Sequence, residues 1–385
     1  MTRTLEILDA LIGHDTVSAN SNLGLIDFVQ SFLIEHGFDV HRIPDETGKK
    51  AGIFASLGPA GKGVLLSGHS DVVPVTGQNW TRDPFRLTQE GKRVYGRGTT
   101  DMKGYVASAL ALAERASKMT LSEPLKIALS YDEETGCIGI RDMIGALEQT
   151  IGLPRACFVG EPTEMQVAIG HKGKAALRAT FHGEAGHSAL APKFVNALYM
   201  AGEFITALRA IQDDLAQNGA REDAYDIPYS TLHVGKLSGG TALNIVPDYA
   251  EMIFEYRHLA ADDPDQLLAR IEGAARQVEE AQRSSEPPPR IEVERYNAYP
   301  GLDVPEDAQI VELAKRLSHS NHVTKVAFGT EAGYFDALGI PTLVCGPDSM
   351  EGQGHKADEY IELDQLAKCD AMMDRLLGDI SADPR

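Results

Sequence analysis

Hydrophobic residues recur along this chain with two different periods, and the change from one to the other outlines its architecture. Leu5, Leu8, Leu11 and Ile12 fall at helical spacing, which predicts a helix over about 3–13, and a second is predicted over about 22–36. FDVHRI, IFASL, GVLLSG, KIALSY and ACFVG read as short strands. Amphipathic segments lie between them, such as 102–117 with Val106, Ala109, Leu110 and Ala113 on one face. Alternating strands and helices predict an α/β layer with a mainly parallel sheet.

The pattern changes near Lys174. Ala175, Leu177, Ala179 and Phe181 occupy every second position, the signature of a strand buried on one face. A long helix follows, carrying Leu198, Ala201, Ile205, Leu208, Ile211 and Leu215. Strands TLHVGKL and AEMIFEYRHL, a helix over about 263–281 and strand IEVERY complete a β-α-β-β-α-β order, an α+β unit of ferredoxin-like type. SSEPPPR reads as the loop before that last strand. From Asn297 the α/β pattern returns, with helices over about 306–318 and 364–378 and strands TKVAFG and PTLVCG. The expected organisation is one α/β layer, 1–173 and 297–385, interrupted by an inserted domain, 174–296.

Composition narrows the function classes. At 385 residues and 43% hydrophobic content the chain can bury a large core. No run of about 18 apolar residues predicts a membrane-spanning helix. MTRTLEILDALIGHD is amphipathic and reads as a first helix, not a signal peptide. A net charge of −20 repels phosphate backbones and anionic lipid, which argues against nucleic-acid and membrane partners. Cys137, Cys157, Cys345 and Cys369 form no CxxC pair and are expected as free thiols in a reducing cytoplasm.

The candidate chemistry lies in His69, Asp101, Glu133, Glu134, Glu161 and His355. Imidazoles and carboxylates without cysteine suit one or two zinc ions, or cobalt or manganese. GVLLSG ends at His69, KIALSY at the Asp132–Glu134 acids and ACFVG at Glu161. Ligands in α/β sheets gather beyond the carboxyl ends of strands. Taken singly, HSD is also a polar turn, Asp101 a helix cap and the acid triplet a solvated loop. Together they form a consistent ligand set, with Asp71 two residues from His69 and able to orient its ring.

SGHSDVVP, YGRGTTDMKG, DEETG, GEPT, AGHSALAP and the late His355 resemble the dinuclear zinc deacylase and exopeptidase family over nearly the whole length. That family includes acetylornithine deacetylases, succinyl-diaminopimelate desuccinylases, aminoacylases and glutamate carboxypeptidases. The resemblance implies two divalent ions, one held by His69 and Glu161 and one by Glu134 and His355, with Asp101 bridging. It implies Glu133 as general base and acid, and Asp71 as the residue orienting His69. It also implies a homodimer formed through the inserted lid, with His187 reaching the partner's site to hold an oxyanion. Asn244 and Arg257 match substrate-contacting lid positions, Arg257 facing an α-carboxylate. FGTEAGYF, which holds Gly329, Thr330 and Glu331, is most similar to the acetylornithine deacetylase branch. TGQNWTRDPF and HKADEYI also fit that branch, except that Ala357 stands where proline is usual. Gly329 and Thr330 are expected to line the site; Glu331 either meets a substrate ammonium or supports its loop. The implied reaction is hydrolysis of N-acetyl-L-ornithine to L-ornithine and acetate, a step of arginine biosynthesis. Desuccinylation, aminoacylase action and peptide cleavage are the alternatives.

Overall fold

The computed structural model describes residues 2–282 and 288–382. The first half of SSEPPPR therefore lies outside the described residues. The chain divides into two compact units, one of residues 1–170, 302–326 and 330–385, the other of 171–301 with 327–329.

The first unit is built on a mixed sheet with a parallel centre. Strands Leu125–Ser130, Val64–His69, Ala156–Pro162 and Thr342–Gly346 are neighbours in that order and run parallel. Antiparallel strands flank them, Ala51–Leu57 and Asp39–Pro44 on one side and Val167–His171 on the other. The central strands are buried along their whole length, as expected where helices cover both faces of a parallel sheet. Helix Arg3–Ile12 begins at Thr2, whose hydroxyl accepts from the Leu5 N–H. It buries Leu5, Leu8, Leu11 and Ile12.

Helix Gly104–Ala116 differs from its amphipathic expectation, because it is buried on nearly every side. It packs against both Arg3–Ile12 and Leu363–Ile380. Its alanines leave little side chain to hold neighbouring helices apart, so a pattern that resembled one buried face serves more than one. All four cysteines are buried and free.

The second unit is a four-stranded antiparallel sheet, in the order Thr231–Gly239, Tyr249–His258, Gly173–His182, Arg290–Tyr299. Helices Ala197–Asn218 and Pro264–Ala281 pack on it. Asn196 caps the first through the N–H groups of Leu198 and Tyr199, and Asp263 caps the second ahead of Pro264. Ala175, Leu177, Ala179 and Phe181 all point into its core. There Phe204 meets Phe181 and Phe254 edge-on, at 5.8 and 5.9 Å between ring centroids. This is the ferredoxin-like order expected from the pattern. No helix of the described residues is long and apolar enough to cross a membrane.

Candidate metal centre

Three neighbouring parallel strands deliver the acids and the first histidine to one edge of the sheet. His69 is the last residue of its strand and pairs with Ser130 of the next. Asp132, Glu133 and Glu134 follow Ser130 after a single residue, Tyr131, and Glu161 lies near the end of Ala156–Pro162. His355 comes from a turn nearly two hundred residues further on, with φ +60°. Its side chain is 49% exposed, whereas His69 is wholly buried.

Asp101 lies between the two histidines. His69 Nε2 is 3.0 Å from Asp101 Oδ1 and 3.5 Å from Glu161 Oε1. His355 Nε2 is 3.2 Å from Asp101 Oδ2 and 3.1 Å from Glu134 Oε2. Each oxygen of one carboxylate thus serves a separate imidazole–glutamate pair. Ligand atoms of His69, Glu133 and Glu161 fall within 4.8 Å of one another, as do those of His69, Asp101 and Glu134.

The electrostatics describe a cluster short of positive charge. Burial raises the pKa of Glu133 and Glu161 well above the usual carboxylate range and that of Glu134 to about 7, reinforced by neighbouring carboxylates. Burial opposes charge on Asp101 too, but hydrogen bonds to both imidazoles outweigh it and lower its pKa. Those bonds, with Glu134, raise His355 to about 10. His69 is also raised, because Asp101, Asp71 and Glu161 overcome its burial. The donor set, imidazole and carboxylate around a buried negative excess, fits divalent metal ions.

The surrounding residues hold this cluster in place. Asp71 Oδ1 lies 3.5 Å from His69 Nδ1, while the Asp71 backbone carbonyl is closer, at 2.9 Å. The Asp71 carboxylate accepts from Ser18 Oγ at 2.6 Å and from the N–H groups of Glu133 and Glu134 at 3.0 and 3.3 Å. It therefore positions both glutamates as well as the histidine. The Cys137 thiol sits 3.2 Å from Glu133 Oε1. Asp132, the third acid of the triplet, pairs with Lys50.

The sequence reading missed Glu359 and Arg97, both 1% exposed and paired at 2.7 Å. Glu359 also accepts from the N–H groups of Gly98, Thr100 and Asp101 at 3.0, 2.9 and 3.2 Å, so it grips the glycine-rich loop that presents Asp101. The signal was available: an acid four residues after His355 in HKADEY. Strand Tyr360–Glu362 joins Arg93–Tyr95 and Thr88–Glu90 in a small sheet on the same stretch. These strands are too short and too polar to carry a period.

Glu331 is buried and turned toward the sheet, accepting from Ser130 Oγ and, at 3.4 Å, from Ser67 Oγ. That geometry supports the loop-supporting alternative. Thr330, also buried, accepts from the Ala332 N–H at 3.0 Å. Burial lifts Glu331 from 4.5 to about 7. A carboxylate pKa raised on folding stabilises the fold below the unfolded value, and that contribution is lost as pH rises through the folded value. Glu331→Gln in metal-free protein is therefore expected to gain stability over the native chain between pH 5 and pH 8, by at most about 3 kcal/mol. Chemical denaturation at the two pH values checks this; a gap that stays constant contradicts it.

In the second unit, strand Gly186–His187 pairs with Ile245–Val246, and the Ser188 N–H donates to the Asn244 carbonyl. The structure thus brings His187 and Asn244 onto one exposed ribbon. His187 Nδ1 accepts from the Ala189 N–H at 3.0 Å, so in the neutral ring the proton resides on Nε2. Arg257 pairs with Glu255 at 3.0 Å. Gly329 packs so closely on Tyr299 that an added Cβ would lie 2.1 Å from its hydroxyl.

The chain matches the model of peptidase family M20/M25/M40 over residues 65–379. It is 34% identical over 366 residues to an acetylornithine deacetylase of Shigella sonnei (strain Ss046), covering 93% of this chain and 92% of that one. Among solved structures it resembles the M20 family metallo-carboxypeptidase Sso-CP2 from Sulfolobus solfataricus, with a TM-score of 0.80 at 19% identity and coverage of 98% and 99%. Another is the Bacillus subtilis YXEP protein, described as a dinuclear metal-binding peptidase of the M20 family, with a TM-score of 0.66 at 16% identity and 98% coverage of both chains. This chain belongs to the M20/M25/M40 peptidase family. It is a metal-dependent hydrolase of that family.

Proposed function

We propose that this protein is a dinuclear amidohydrolase that removes the acetyl group from N-acetyl-L-ornithine, giving L-ornithine and acetate for arginine biosynthesis. The observation that carries the dinuclear reading is Asp101, with one carboxylate oxygen toward each histidine. The substrate rests on the 34% identity to the Shigella deacetylase and on FGTEAGYF.

In this reading His69 and Glu161 hold one ion, Glu134 and His355 the other, and Asp101 both; zinc is the default and cobalt suits the same donors. When bound, the ions supply Lewis acidity to the acyl carbonyl and to the attacking water. Glu133 takes the proton of that water as its oxygen attacks the carbonyl carbon. It returns the proton to the amide nitrogen as the C–N bond breaks. Asp71 fixes His69 and, through two backbone N–H groups, both glutamates. Arg257 meets the substrate α-carboxylate, with Asn244, Gly329 and Thr330 as further contacts. His187, whose Nε2–H is free to donate, holds the oxyanion from a partner subunit. A dimer through the second unit is supported by strand Thr231–Gly239, which among the described residues pairs on one side only, and by exposed Leu237 and Tyr249. The reading places the enzyme in the cytoplasm, where four free thiols are at home.

The test is amine release from N-acetyl-L-ornithine, N-succinyl-diaminopimelate and N-acetyl-L-methionine, by metal-free protein and with zinc or cobalt added. Metal-dependent turnover is expected to be greatest on N-acetyl-L-ornithine. His187→Ala should then lower that turnover by roughly a hundredfold with the dimer intact. Turnover on another member of the panel keeps the site and overturns the substrate. No turnover on any, with metal bound, removes the N-acyl amino acid reading.

A further inference from the structure

TGQNWTRDPF has no part in the reaction above, yet it docks on the stretch that carries His355. Gln78 Nε2 donates to the His355 backbone carbonyl at 2.8 Å. Gln78 Oε1 accepts from Arg97 Nη2 at 2.6 Å and from Trp80 Nε1 at 3.1 Å. Arg97 Nη1 is held by Glu359, which also grips the loop presenting Asp101. Thr81 donates to the Asp358 carboxylate through its N–H at 3.0 Å and its hydroxyl at 2.9 Å. One hydrogen-bonded chain therefore links the backbone of Asp101 to that of His355.

His355 needs such support. Its φ of +60° lies in the left-handed region, which is costly for a residue with a Cβ and persists only where the surroundings enforce it. Its side chain is half exposed, so packing does little to fix the ring. We propose that Gln78 is a positioning residue, clamping the His355 carbonyl so that Nε2 is presented to Asp101 Oδ2 and Glu134 Oε2. This rests on the ligand assignment proposed above.

The test is calorimetric titration of metal-free protein with zinc, for the native chain, Gln78→Glu and Gln78→Met. Gln78→Glu keeps the side-chain length and the acceptor for Arg97 and Trp80, and replaces the N–H aimed at His355 with a carboxylate oxygen that faces its carbonyl. Its added negative charge would by itself tighten cation binding, so charge and geometry predict opposite signs. The native chain is expected to bind two ions. Both variants are expected to bind one ion as before and the other roughly 10- to 100-fold more weakly. Unchanged or tighter binding of both ions by either variant overturns the proposal, as does equal weakening of both. A native chain that binds a single ion overturns the ligand assignment, and this inference with it.

Discussion

Glu133→Ala is expected to retain both metal ions and lose turnover by roughly a thousandfold. The comparison to make is kcat on the best N-acyl substrate beside metal content by elemental analysis. The expectation follows from how Glu133 is held. Its N–H is fixed by Asp71 at 3.0 Å, and the Gly136 and Cys137 N–H groups close a tight turn on its carbonyl at 2.7 and 2.8 Å. Its carboxylate makes no ion pair at hydrogen-bonding range with either histidine, whereas Asp101, Glu134 and Glu161 each do so or nearly do so. A carboxyl group carried on a firmly held backbone, with its pKa raised by burial, suits repeated proton uptake and release. There is a rival role. Glu133 also clusters with His69 and Glu161 closely enough to act as a ligand. The metal analysis separates the two, because a variant that loses an ion together with activity makes Glu133 a ligand and leaves the general base unassigned.

Much of this site was legible because strand ends are legible. Val64–His69, Leu125–Ser130 and Ala156–Pro162 are short and mainly apolar, and each carries a histidine or an acid in its last two residues or within two residues of its end. A parallel sheet then has little freedom about where those residues go. The second unit was legible for a different reason: the alternation from Ala175 to Phe181 and the stripe on Ala197–Asn218 each bury a single face. The pattern failed where burial has more than one side, as in Gly104–Ala116, where helical period cannot reveal how many neighbours surround the helix. It also failed where structure is held by polar contacts. Glu359, Arg97 and Gln78 carry no hydrophobic signal, and their partners lie from 19 to 277 residues away along the chain. Nor does spacing reveal that the Asp71 carboxylate serves the two glutamate N–H groups more closely than the His69 ring.

Asp101→Ala is expected to weaken both ions, which no other single ligand change should do. Apparent binding energies of about 10–16 kcal/mol shared over a complete ligand set amount to roughly 3 kcal/mol per ligand, or about a hundredfold in affinity. Glu161→Ala should lose that factor at one ion, and His355→Ala at the other. Asp101 presents a separate oxygen to each histidine, so if it is the proposed bridge its removal should lose the factor twice. It also deprives both imidazoles of their shared acceptor. Calorimetric titration with zinc of the three variants makes the comparison within one experiment. If Asp101→Ala weakens a single ion, its two oxygens do not act as a bridge. The approach of His69 and His355 to one carboxylate would then reflect pairing in the metal-free protein, where a charged imidazole is the cation at hand.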